Sequence, residues 1–95
     1  MKSSLLNTHR DSIKKSAQKH GATSVRLFGS FARGEETADS DIDLLVEMEP
    51  NRSLFDIIAL KLDIEDLTGR KADVVTIRGV SPYLAEKISK EAIPL

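Results

Sequence analysis

The chain has 95 residues, enough for a single domain spanning 1–95 and too few for a second core of useful size. Fourteen Lys plus Arg against fifteen Asp plus Glu leave a net charge of -1, which excludes a bulk electrostatic pull toward nucleic acid or membrane, so any phosphate binding has to be local. The absence of cysteine excludes disulfides, thiolate zinc sites and cysteine nucleophiles together, and leaves hard, oxygen-ligated metals as the ones the chain can support.

A chain of this size buries only about 60 to 65% of the surface it exposes when unfolded, so a modest stability is expected and a partner subunit would add to it. The opening MKSSLLNTHRDSIKK has no apolar run of signal-peptide length, and no segment approaches the roughly 20 apolar residues of a membrane span. A cytoplasmic protein is expected.

In chain order, Leu6, His9, Ile13, Ala17 and His20 recur at three- and four-residue intervals and predict a helix from Ser4 to His20, ended by Gly21. Lys14, Lys15 and Lys19 fall on its solvent side. His9 and His20 stand three turns apart, too far to share one metal, and are expected to be structural. Thr23 to Phe28 alternates as a first strand and runs into Gly29-Ser30. Ser30 to Ser40 offers a short helical turn followed by a loop.

Asp41 to Met48 predicts the second strand, with Ile42, Leu44, Val46 and Met48 on one face and Asp41, Asp43 and Glu47 on the other. Ser53 caps a helix running to about Leu67 and stopped by Gly69. This helix carries two apolar stripes, Ile57, Leu60, Ile64 and Leu67, then Leu54, Phe55, Ile58 and Leu62. Either both wedge into a small core or one meets another protein. Lys71 to Ile77 predicts a third strand with Asp73 near its start. Ser81 and Pro82 open a last helix through about Ala92, in which Tyr83 could be an acceptor for self-nucleotidylation but is expected to pack against the sheet. The order is α-β-α-β-α-β-α.

A glycine and serine at the end of a strand allow close backbone approach to a phosphate, with free amide hydrogens turned toward the anion; Gly29 and Ser30 fit that role. Asp41 and Asp43, two residues apart on a strand, leave the same face about 6.6 Å apart along the chain and can converge on a metal pair. Two divalent ions some 3.5 to 4 Å apart clamp the attacking and leaving oxygens in nucleotidyl transfer, and Mg2+ suits carboxylate and phosphate oxygens. A helical connection joins the second and third strands as parallel neighbours, which start at the same sheet edge. Asp41, Asp43 and Asp73 would then meet there. If the first strand runs antiparallel to the second, Gly29-Ser30 reaches that edge too. Asp73 could ligate metal and accept the proton of the attacking hydroxyl.

The run GSFARGEETADSDIDLLV, Gly29 to Val46, resembles the signature of the polymerase-beta-like nucleotidyltransferase superfamily, Gly-Ser followed after about ten residues by Asp-x-Asp and an apolar run. The Lys71-Ala72-Asp73-Val74-Val75 strand and the Ser81-Pro82-Tyr83-Leu84 helix resemble its minimal nucleotidyltransferase branch, so the likeness covers nearly the whole chain. The resemblance implies an α/β fold with a small mixed three-stranded sheet flanked by helices. It further implies that Ser30 and the Gly29 backbone hold the triphosphate of ATP, that Asp41, Asp43 and Asp73 bind two Mg2+ ions, and that Arg33 contacts the triphosphate.

The minimal branch is similar to antitoxins of prokaryotic toxin-antitoxin pairs. Such an antitoxin can attach AMP to a tyrosine of its HEPN-domain ribonuclease partner, so the resemblance implies a hetero-oligomer with a HEPN toxin encoded by the adjacent gene. Two readings compete with catalysis on a protein acceptor. One is neutralisation of the partner by binding alone, through a stripe of the Ser53 to Leu67 helix. The other is tailing of RNA, which the lack of a basic patch with interleaved aromatics disfavours.

Overall fold

The computed structural model describes residues 4–76, 79 and 81–95, with the side chains of 4–7 left out. In chain order the elements are α1 (Ser4–Lys19), β1 (Ala22–Phe28), α2 (Gly29–Arg33), β2 (Ile42–Met48), α3 (Leu54–Thr68), β3 (Ala72–Thr76), α4 (Pro82–Glu91) and β4 (Ile93–Pro94). The strands form one sheet in the order β3-β2-β1-β4. β2 pairs parallel with β3, while β1 runs antiparallel to both β2 and β4, so the expected mixed sheet forms and the orientation of β1 is settled.

The sheet has four strands where three were expected. The fourth, only two residues long, sits at an edge, where Pro94 needs no amide for a ladder; it is too short for any period-two pattern to announce it. Two boundaries also shift. β2 starts at Ile42, which leaves Asp41 just ahead of the strand, and the last helix ends at Glu91 with Ala92 as its C-cap. Ile77 of the expected third strand and the Leu6 side chain of the α1 stripe lie outside the described residues.

The core forms on the sheet face that carries Leu27, Ile42, Leu44 and Val46, all fully buried. Ile13 and Ala17 of α1 and Leu60 and Ile64 of α3 pack into it, as the helical stripes require. Ser53 and Asp56 close a capping box at the start of α3, and Gly69, at φ 70, turns the chain out of its end. α1 is tied to α3 by Asp63, which accepts a hydrogen bond from Ser16 Oγ (3.3 Å) and lies 2.6 Å from His20 Nε2. Of the two stripes of α3 only the first reaches the core, through Leu60 and Ile64, while Ile57 is half-buried and Leu67 is exposed at the helix end. Leu54, Phe55, Ile58 and Leu62 lie exposed, Phe55 at 81% and Leu62 at 57%, so the second stripe faces outward. Tyr83, expected against the sheet, is 81% exposed on α4.

Among the described residues no helix is long and apolar enough to cross a membrane.

Candidate active site

The register of the sheet decides which residues meet at its edge. Phe28, the last residue of β1, pairs with Asp43 on β2, and Asp43 pairs with Asp73 on β3. The end of an antiparallel strand and the starts of two parallel ones thus share one rung. Asp41 lies two residues ahead of Asp43 at the same edge. It is bracketed by Ile42, whose amide donates to the Lys71 carbonyl at 2.9 Å, and by Ser40, whose carbonyl accepts from Arg70.

Gly29 leaves β1 at φ 73, in the left-handed region, and opens the single turn and a half of α2. A Cβ at this position would lie 3.0 Å from Asp43 Cγ and would collide with its Oδ2. Glycine is therefore required twice, by backbone angle and by the carboxylate lying against it. The first-turn amides of such a helix have no intrahelical acceptor, and α2 points that turn at the acidic rung.

Asp43 is half-buried, whereas Asp41 and Asp73 are exposed. Burial pushes the Asp43 carboxyl above the ordinary carboxylate range, and the negative charges of Asp73 and then Asp41 push it further; the Arg33 guanidinium pulls the other way. Three carboxylates that repel one another at a partly buried edge form an all-oxygen donor set, which fits a hard divalent cation. Among the described residues no three His, Asp or Glu side chains stand close enough to enclose a metal ion as they are.

Beside the rung opens a cleft of about 360 Å³, lined by Gly29, Arg33, Asp73, Leu84, Lys87 and Glu91 among others. Arg33 enters it already engaged, by Glu35 at 2.8 Å and by Glu91, and these carboxylates, Glu91 foremost, hold its guanidinium above its ordinary value. Lys87 lines the same cleft with no acidic partner within ion-pair distance among the described residues. A cavity of about 420 Å³ at the far end of β2, beside Glu47, Arg52 and Ile57, holds none of the three aspartates.

Sequence reasoning named Gly29, Ser30, Arg33, Asp41, Asp43 and Asp73, and the fold gathers all six at this edge. It missed Lys87, Glu91 and Arg70. A weak cue existed for the α4 residues, since Leu84, Ile88 and Glu91 follow at four- and three-residue spacing, and an acid in line with an apolar stripe asks for a cationic partner. No local cue existed for Arg70, whose contacts lie thirty and more residues away.

A mixed sheet of this order, with a glycine turn and an acidic rung at one edge, is the framework of a nucleotidyl-transferring enzyme. The chain belongs to the nucleotidyltransferase domain family, whose profile matches residues 7–95. It is 41% identical over 75 residues to a "putative protein adenylyltransferase" of Methanocaldococcus jannaschii, covering 79% of this chain and 81% of that protein. It is 31% identical over 90 residues to the protein adenylyltransferase MntA of Thermococcus cleftensis, covering 95% of this chain and 88% of the relative. Among solved structures, a "putative minimal nucleotidyltransferase" matches with a TM-score of 0.89 at 46% identity, covering 99% of this chain and 98% of that one. The fold is shared further with the MNT antitoxin complex of the tri-AMPylated Shewanella oneidensis HEPN toxin, at a TM-score of 0.72 and 18% identity, over 93% of this chain and 69% of that one.

Proposed function

We propose that this nucleotidyltransferase, acting in the cytoplasm as one domain over 1–95, transfers AMP from ATP to a tyrosine hydroxyl of a HEPN-type toxin and so serves as its antitoxin. The observation that carries the reading is the shared rung of Phe28, Asp43 and Asp73, which sets the Gly29 turn beside the acids. The adenylyltransferase relatives and the AMPylated HEPN toxin bound to a similar fold support the donor and the acceptor class.

In this mechanism the Gly29 backbone and Ser30 hold the β- and γ-phosphates, and Lys87 adds a positive charge without an acidic partner among the described residues. Asp41, Asp43 and Asp73 would hold Mg2+, two ions in all, which would shield the phosphate charge and polarise the α-phosphorus. Asp73 accepts the proton of the tyrosine hydroxyl as its oxygen bonds to the α-phosphorus. The bond from that phosphorus to the bridging oxygen breaks, and pyrophosphate leaves. Arg33, held by Glu35 and Glu91, fixes α2 against α4 and presents its remaining donors to the triphosphate.

Incubating the protein with ATP, Mg2+ and a HEPN-domain partner should add AMP, an increment visible by intact mass, and Asp41→Asn with Asp43→Asn should abolish it. No mass change with the wild-type protein would refute the reading.

The exposed second stripe of α3 favours a companion reading, neutralisation by binding alone through Leu54, Phe55, Ile58 and Leu62. There the double Asp variant still silences the toxin, while Phe55→Glu with Ile58→Glu does not. The reverse pattern would leave catalysis as the sole route. Tailing of RNA is disfavoured by the absence of an aromatic-studded basic groove among the described residues.

A further inference from the structure

Arg70, between the end of α3 and the start of β3, reaches from there to the loop that precedes Asp41 and to α2. Its Nη1 donates to the carbonyl oxygens of Thr37, Ala38 and Ser40, each at 3.1 Å. Its guanidinium carbon lies 5.4 Å from the ring centroid of Phe31, a buried residue of α2 two positions after Gly29. The next residue, Lys71, accepts the Ile42 amide, and Asp73 follows two residues on. One side chain and its neighbour's carbonyl therefore touch the helix that begins at the phosphate turn, both flanks of Asp41, and the strand that carries Asp73.

The loop from Glu35 to Ser40 is anchored at its start, where the Glu35 amide donates to the Ser30 carbonyl at 2.9 Å and the Glu35 carboxylate accepts from Arg33 Nε at 2.8 Å. Within it the Thr37 amide donates to Ser40 Oγ at 2.7 Å, and the Ser40 amide to the Thr37 carbonyl at 3.1 Å. These close a small turn and do not attach it to the sheet. Three carbonyls that share one guanidinium nitrogen tie the loop's later part to the segment just ahead of β3, and a planar cation can meet them edge-on while its face rests on an aromatic ring. A lysine, with a compact ammonium on a flexible stem, cannot satisfy both.

We propose that Arg70 is the positioning residue of the metal site: it sets Asp41 against Asp43 and Asp73, and so fixes the affinity for the catalytic cation without touching cation or nucleotide itself. This rests on the assignment of the three aspartates as cation ligands given above. Outer partners of metal ligands, when removed, typically cost about 10- to 100-fold in metal affinity.

The test uses Mn2+ as the probe, titrated into the full-length protein with the α,β-methylene analogue of ATP, whose α–β bridge cannot be cleaved, and followed by the loss of free-ion paramagnetic signal. Arg70→Ala should weaken Mn2+ binding by about 10-fold or more, with Arg70→Lys in between. Amide hydrogen exchange across 37–42 should quicken in the same variants while exchange in β1 and α1 stays as in the wild type. Arg52→Ala, which removes an arginine paired with Glu49 and Asp56 at the far end of the sheet, should leave Mn2+ binding unchanged. Should Arg70→Ala not fold, Arg70→Lys alone decides. A folded Arg70 variant with wild-type Mn2+ affinity, or with unaltered exchange at 37–42, overturns the proposal. If instead the wild-type protein binds no Mn2+, or Asp43→Asn binds it as well as wild type, the aspartate assignment itself falls and this inference with it.

Discussion

Asp43 and Asp73 occupy the same rung of the parallel β2–β3 pair, two acids side by side with Asp41 close behind. A protein gains nothing in stability from such an arrangement. Burial and the neighbouring charges raise the Asp43 carboxyl above its ordinary value, so the folded state binds that proton more tightly than the unfolded chain does. Stability therefore falls as pH rises through the window between the ordinary and the raised value, and the deficit persists at neutral pH.

Asp43→Asn should for that reason separate stability from chemistry. The amide carries no charge, so without added metal the variant should melt at a higher temperature than the wild type at pH 7, and the gap should close in acid. Transfer should meanwhile fall by about a hundred- to a thousandfold, since Lewis-acid stabilisation is worth several kcal/mol and each 1.36 kcal/mol is tenfold in rate. Calorimetry from pH 4 to 8 beside an AMP-transfer assay checks both halves; a lower melting temperature at pH 7 would contradict the first.

Gly29→Ala tests the turn. Left-handed backbone costs an L-residue about 1–2 kcal/mol, and about 4–8 °C of Tm follows each kcal/mol in a domain of this size. The added methyl also displaces Asp43. Both Tm and transfer should drop, whereas Gly69→Ala, at φ 70 with nothing near its Cβ, should lower Tm and leave transfer intact.

Lys87 should behave as a triphosphate contact. One charge-assisted hydrogen bond is worth about 1.5–3 kcal/mol, so Lys87→Ala should raise KM for ATP about tenfold or more and weaken pyrophosphate inhibition in parallel, with AMP binding unaffected. Lys90→Ala is the control, on the same helix but paired with Glu86 and well exposed. Equal losses for ATP and AMP would count against a contact at the β- and γ-phosphates.

The tie between α1 and α3 should be visible in acid. The hydrogen bond from His20, and more weakly that from Ser16, hold the Asp63 carboxyl below its ordinary value against the opposing effect of desolvation. A depressed carboxylate adds stability above its unfolded value and loses it as pH falls through the folded one. Thermal melts of wild type and Asp63→Asn should therefore differ most at neutral pH and converge below the ordinary carboxylate range. A difference that stays constant from pH 7 to pH 3 would contradict the tie.

Much of this molecule is written locally. The alternation in Ile42 to Met48 fixes which side chains share a face, because the strand period is two, and it sets Asp43 off the face that Ile42, Leu44 and Val46 bury. Gly21, Gly29 and Gly69 each stand at positive φ where an element ends, as a residue without a Cβ allows. The helical connection between β2 and β3 implied parallel pairing and brought Asp73 to the same edge.

Tertiary structure decided what depends on partners distant in sequence. Which stripe of α3 is buried was open to either answer, since Leu60 and Leu62 are equally apolar; α1 and the sheet cover Leu60 and Ile64 of the first and leave the second outside. The engagement of Arg33 by Glu91, 58 residues away, joins α2 to α4, and the grip of Arg70 on the carbonyls ahead of Asp41 crosses some thirty residues. Periodicity and spacing report how a residue relates to its own strand or helix; these charges found their partners only when the sheet brought its edge together.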